Sequence, residues 1–186
     1  QRYSEWLTES GDLGLIPEPI LEEMGLEHGS KYAINKTEFY PQLLNDIRLV
    51  HDIGGLGRAV IPELAKRLQS EHAAVRYWSA YILGNQGSFA SPAAEELKNA
   101  LQDTSGGVRI ASARALYRLG LTSEAEDVLV SELQKNQNHV TRHYAAVFIE
   151  ELDIKTAVVQ RAMAEARYDI YEFLQRVAVR YTDDHS

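Results

Sequence analysis

Leu64-x3-Leu68-x6-Val75-Arg76-x3-Ala80-x2-Leu83 recurs as Leu97-x3-Leu101-x6-Val108-Arg109-x3-Ala113-x2-Leu116, at a constant offset of 33 from one copy to the next. A looser third copy, Leu129, Leu133, Val140, Ala145 and Phe148, stands a further 32 on, with Thr141 where the first two copies carry Arg. A period of this length marks stacked helical hairpins, because one hairpin cannot bury its apolar face alone. Within a unit, Ile61, Leu64, Ala65 and Leu68 fall at i, i+3, i+4, i+7, the stripe of an amphipathic helix. The spacing predicts a leading helix over 59–69 and a trailing helix over 74–85, with Pro62 in a first turn that needs no N–H there.

The second unit is expected from Pro92, capped by Ser91, to Gly120, and the third over 123–152. Gly87 and Gly120 share one repeat position, twelve places after the core Val, where a left-handed helix end suits glycine. A fourth pair is expected over 154–166 and 170–181, with Val159, Met163 and Ile170 standing for Leu129, Leu133 and Val140 at separations of 30. Terminal repeats are often irregular, since they close the stack. The expected architecture is an all-α, right-handed α-solenoid, with hairpins at about 59–87, 92–120, 123–153 and 154–181.

Ahead of the repeats lies a connecting segment, residues 1–58. An acidic helix is expected over 3–10, stopped by Gly11, and then an extended stretch over 12–19, where Pro17 and Pro19 fix φ and bias their predecessors away from helix. A short helix over 20–25, a surface loop over 27–41, a helix over 42–53 and the Gly54-Gly55-x-Gly57 break complete it.

The chain has 186 residues, 45% hydrophobic and 25% charged, which is ordinary for a globular protein. No apolar run reaches the roughly 18 residues needed to span a bilayer, and the opening Gln1-Arg2-Tyr3-Ser4-Glu5-Trp6 is no secretion signal. A start on Gln rather than Met points to a processed or excised chain. Zero cysteines exclude disulfides, zinc–thiolate sites and thiol nucleophiles. Residues 1–58 carry five Lys/Arg against ten Asp/Glu, and 59–186 fourteen against seventeen. Neither part holds the cation excess that releases counterions from a nucleic acid, so that partner class is set aside.

The strings Val75-Arg76-Tyr77-Trp78-Ser79-Ala80-Tyr81-Ile82-Leu83-Gly84 and Val108-Arg109-Ile110-Ala111-Ser112-Ala113-Arg114-Ala115-Leu116 resemble HEAT repeats over about 59–153. The preceding Trp6-Leu7-x3-Gly11-Asp12-Leu13-Gly14-Leu15-Ile16-Pro17-Glu18, the Gly29-Ser30-x-Tyr32 loop and Phe39-Tyr40-Pro41 resemble the stretch that joins the catalytic domain of some bacterial sulfatases, of the arylsulfatase A or sulfoglucosamine-sulfohydrolase type, to a C-terminal HEAT extension. That resemblance implies the tail of a larger, periplasmic or secreted sulfuric ester hydrolase. Its C/S-x-P-x-R nucleophile motif and its calcium ligands would belong to the missing catalytic domain. Ser91-Pro92 lacks that spacing and its arginine, so this chain alone is expected to be non-catalytic and without a cofactor.

His139 and His143 stand four apart, yet zinc needs at least three protein ligands and no third is evident in the sequence. Glu150-Glu151-x-Asp153 reads as a helix end, where negative charge is unfavourable and a salt bridge is favoured. His51-Asp52 has no nucleophile nearby in sequence. Arg76 and Arg109 are expected to bridge neighbouring units, with Asp103 an acceptor. Tyr77, Tyr81, Arg114, Tyr117, Arg118 and Arg142 lie off the core stripe, on the helices that line the concave side of this architecture, and make a candidate interaction surface. Trp6, Leu13, Leu15, Ile16 and Pro17 make a candidate docking segment for the missing domain. Three functions follow: an accessory domain packed on a sulfatase core, a free-standing HEAT adaptor for a protein partner, or an enzyme resembling the HEAT-containing phycobilin lyases.

Overall fold

A computed structural model describes residues 13–184. The helix expected over 3–10 and Trp6 of the docking segment lie outside the described residues. Among those described, the chain is all helical: α1 (Glu18–Glu27), α2 (Tyr40–Gly54), α3 (Ile61–Arg67), α4 (Ala73–Asn85), α5 (Ala94–Ala100), α6 (Gly106–Arg118), α7 (Thr122–Lys135), α8 (His139–Glu151), α9 (Ala157–Ala166) and α10 (Glu172–Asp184), with 3-10 turns at Lys31–Lys36, Gly57–Val60 and Gly87–Ala93. No described helix is long and apolar enough to cross a membrane.

The hairpins α3/α4, α5/α6, α7/α8 and α9/α10 stack in order, and the trailing helices α4, α6, α8 and α10 form one row. Val75, Leu83, Val108, Leu116, Val140 and Phe148 are all buried, as one apolar stripe per trailing helix requires. Close approach of α4 and α6 depends on Gly84, where an added Cβ would meet the Ala115 Cα at 3.0 Å. Gly87 and Gly120 both take positive φ, +56° and +85°, directly after their helices end.

Three expectations need correction. Ser91 caps no helix: its hydroxyl donates to the Ser88 carbonyl, Pro92 sits inside a 3-10 turn, and the second unit's leading helix starts at Ala94. Ile170 is no core residue but fully exposed in the turn before α10, whose inner face is Leu174, Val177, Ala178 and Tyr181. Tyr171 packs against that core from the turn, while Phe173 is exposed. Pro19 does not end an extended stretch but occupies the first turn of α1, begun by Pro17 at its N-cap, where a missing N–H costs nothing.

The connecting segment does not stand apart. Leu13, Ile16, Ile20, Ile34, Leu43 and Ile47 belong to one continuous core with the repeats, and the stretch expected as a surface loop over 27–41 buries Ile34 and Tyr40. From Leu13 to Glu27 the chain crosses the row of trailing helices near their N-terminal ends. The Trp78 indole donates to the Leu15 carbonyl at 2.9 Å, the Asn138 side-chain amide to the Pro19 carbonyl at 3.3 Å, and the Tyr144 hydroxyl to Glu18 at 3.1 Å. Ile20 lies against Gly107, where an added Cβ would meet its Cδ1 at 2.6 Å.

Candidate functional site

His72, Ser105 and Asn138 sit at the starts of α4, α6 and α8, one per repeat at the even period of 33. Just inside each start stands an arginine at the same period, Arg76, Arg109 and Arg142. Arg76 forks onto Asp103 with both bonds at 2.7 Å and also donates to the Ser70 carbonyl. Arg109 repeats the arrangement on Glu132, at 2.6 and 3.0 Å, and on the Asp103 carbonyl. Arg142 pairs with Asp169 and donates to the Leu133 carbonyl. Each arginine thus ties its own trailing helix to an acid of the following hairpin, the task its planar fork suits. Arg142, assigned above to the candidate interaction surface, is the third rung. The sequence conceals this because the apolar stripe of the third unit runs at 32 while its arginine keeps 33.

At the other ends of the same helices lies a polar cluster without repeats. Arg114 of α6 is the largest fully buried side chain, 1% exposed. It donates to both Glu151 oxygens, at 2.8 and 2.6 Å, and to the Asn85 side chain at 3.1 Å, while its guanidinium lies 4.1 Å from the centre of the Tyr81 ring. Arg118 joins from the surface, 2.6 Å from Glu151. Burial pushes the Glu151 carboxyl up, but the two guanidiniums outweigh it and hold it below the usual carboxylate range. The neighbouring acids are paired as the sequence implied: Glu150 with Arg180, Asp153 with Lys155.

The six candidate interaction residues therefore divide. Tyr77 is buried, and desolvation drives its hydroxyl far above the usual phenol range. Arg114 is buried in the cluster and Arg142 is paired in the ladder. Tyr81, Tyr117 and Arg118 keep accessible surface, as do Val147 and the Glu151 that Arg118 pairs with. Of the docking segment, Leu13, Ile16 and Pro17 are buried and Leu15 half-buried against the chain's own repeats, so the face expected for an absent domain is already covered.

The histidine readings resolve into packing. His139 and His143 approach the Tyr171 ring at 4.4 and 6.1 Å, and burial lowers the His143 pKa. His51 meets the Trp78 ring edge-on at 4.4 Å, and desolvation lowers its pKa too. No group of three or more His, Asp or Glu among the described residues is placed to hold a metal ion.

One site has no signal in the sequence. A cleft of about 480 Å³ opens between α1, Phe39 and the starts of α4 and α6. Glu23 lines it, accepting from the Ser105 hydroxyl at 2.6 Å and the Gly107 N–H at 3.2 Å. Burial raises the Glu23 pKa against the lowering pull of those bonds and of Arg109. Phe39 stands between His28 and His72, ring centres 5.9 and 5.8 Å away. Only folding brings α1 to the starts of helices one and two repeats further along the chain.

No curated protein matches the chain. The family model described as HEAT repeats matches residues 61–150, the span holding α3 to α8 and two complete rungs of the arginine ladder, and with the stacked all-helical fold it makes this region a HEAT-like α-solenoid.

Proposed function

We propose that this chain is a non-catalytic interaction module that holds a protein partner on the C-terminal half of its trailing-helix row. The observation that carries this reading is the division of that row. Its N-terminal half is filled by the chain's own segment 13–27, while Tyr81, Tyr117, Arg118, Val147 and Glu151 remain accessible together at the other half. Tyrosine offers a large, rigid ring and arginine a planar fork already held by Glu151, and both residue types are enriched as interface anchors. A photo-crosslinking residue at Tyr117 should capture the partner, while one at the exposed Glu124 of α7 should not. Capture from position 124 alone would reject the reading.

The accessory-domain reading, in which the module follows a sulfatase core, rests on the resemblance across residues 6–41. Burial of Leu13, Ile16 and Pro17 within the chain favours the self-contained adaptor over it. Aryl sulfate hydrolysis by the purified chain should be absent under either reading. The coding sequence upstream of Gln1 separates them: a C/S-x-P-x-R motif there would restore the sulfatase assignment.

A further inference from the structure

We propose that the cleft between α1 and the starts of α4 and α6 is a binding site for an organic cation, a guanidinium or ammonium group. Its volume, about 480 Å³, falls in the range of small-ligand clefts. Glu23 and Glu27 are one helical turn apart on α1 and both line it; Glu71 lines the opposite rim. Arg76, the one guanidinium in the lining, is already forked onto Asp103, and Arg109 is forked onto Glu132; His28 and His72 line the cleft as well, with His72 Nε2 3.7 Å from a Glu71 oxygen. Both guanidiniums are held by carboxylates of their own, and the pull of Arg109 on Glu23 does not offset that group's burial.

Glu23 accepts from Ser105 and Gly107, one bond on each oxygen, with the Gly106 N–H also acting on it, and a carboxylate offers about four acceptor positions. Glu23 lines the cleft and is partly buried, where a charge-assisted bond is stronger than on the open surface. Phe39, lying between the two imidazoles, supplies an aromatic wall. The carboxylates attract a cation by charge, and the Phe39 ring bounds the space beside them. An anion would face three glutamates, and a neutral apolar guest would leave their charges desolvated without a partner.

The raised pKa of Glu23 is consistent with this, because a cation bound beside it would favour the ionised form that burial disfavours.

The test is a titration of the 15N-labelled protein with N-acetyl-arginine amide, and with N-acetyl-citrulline amide as a neutral isostere. The arginine probe should give saturable shifts at the Gly107 and Ser105 amides and the His72 ring; the citrulline probe should give none. Glu23→Gln should weaken binding by about tenfold or more, the loss of roughly 1.4 kcal/mol that one charge-assisted contact carries. Because Glu23 also holds the start of α6, Glu71→Gln at the exposed rim serves as the second variant and should weaken binding by a few-fold with the fold unchanged. Agmatine and a blocked Gly-Arg-Gly peptide separate the two sources: equal affinities assign the cleft to a free amine or guanidine, and tighter binding of the peptide assigns it to a side chain of a partner protein. Equal response to arginine and citrulline probes, or no shift around the cleft, overturns the proposal.

Discussion

The two ends of the trailing helices use arginine in opposite ways. At the starts, Arg76 and Arg109 fork alike onto an acid and Arg142 pairs with one oxygen of another, each partly exposed and each tied to the next hairpin. At the ends, Arg114 occurs once, is buried, and joins α4, α6 and α8 through Asn85 and Glu151. The ladder adds a similar increment at every step. The cluster locks three helices around a single side chain. A repeated residue in a solenoid serves the stack; an unrepeated buried charge marks the place where the stack becomes one specific molecule.

The largest effect should come from Arg114→Ala. Breaking a buried ion pair costs about 3–5 kcal/mol, but Glu151 is about one-third exposed and retains Arg118, so a loss of about 2–3 kcal/mol is expected from urea unfolding. A loss below about 1 kcal/mol would rank the cluster with the ladder and break the comparison. Arg109→Lys should cost about 1–2 kcal/mol, since lysine cannot keep the fork on Glu132 together with the Asp103 carbonyl; an unchanged midpoint would show that the rung contributes only a point charge.

Acid titration should separate two carboxylates with opposite signs. Glu151 is held below its ordinary value of 4.5, so its contribution is present above pH 4.5 and is lost as pH falls through its lower folded pKa. Glu23 is raised above 4.5, so the folded state binds its proton more tightly, and stability declines as pH climbs from 4.5 through the folded pKa. Glu23→Gln should remove that decline and leave the acid limb intact; an unaltered profile would show that Glu23 carries no linkage. The smallest effect belongs to Arg176→Ala, which breaks an exposed i,i+4 pair with Glu172 and should move stability by less than about 0.5 kcal/mol.

The sequence disclosed what is periodic. Helix pairs, the stripe from Val75 to Phe148, the glycine turns and the Arg76–Asp103 bridge all follow from local spacing and a repeat offset of 33, then 32. Arg142 escaped because two periods, 32 for the apolar stripe and 33 for the arginine, coexist in one hairpin. In sequence Arg114 reads as surface because it lies off the core stripe, and nothing in its own helix shows that Glu151 and Asn85 converge on it from two others. Leu13, Ile16 and Pro17 read as apolar groups in search of a partner, which they are; that the partner is the chain's own trailing row is a contact across most of the sequence, beyond any local pattern. The cleft, made of α1 and helix starts far away in sequence, was illegible for the same reason.

The crossing segment changes how such a chain must fold. A pure repeat stack has only near neighbours and can assemble from any point outward. Here Glu18 meets Tyr144 across 126 residues and Leu15 meets Trp78 across 63. Those closures carry the chain-entropy cost of long loops and cannot form until the row they cross exists. Hairpins should therefore assemble first and the segment seat last, so that a stretch synthesised ahead of every repeat has to wait for the third hairpin before it reaches its place.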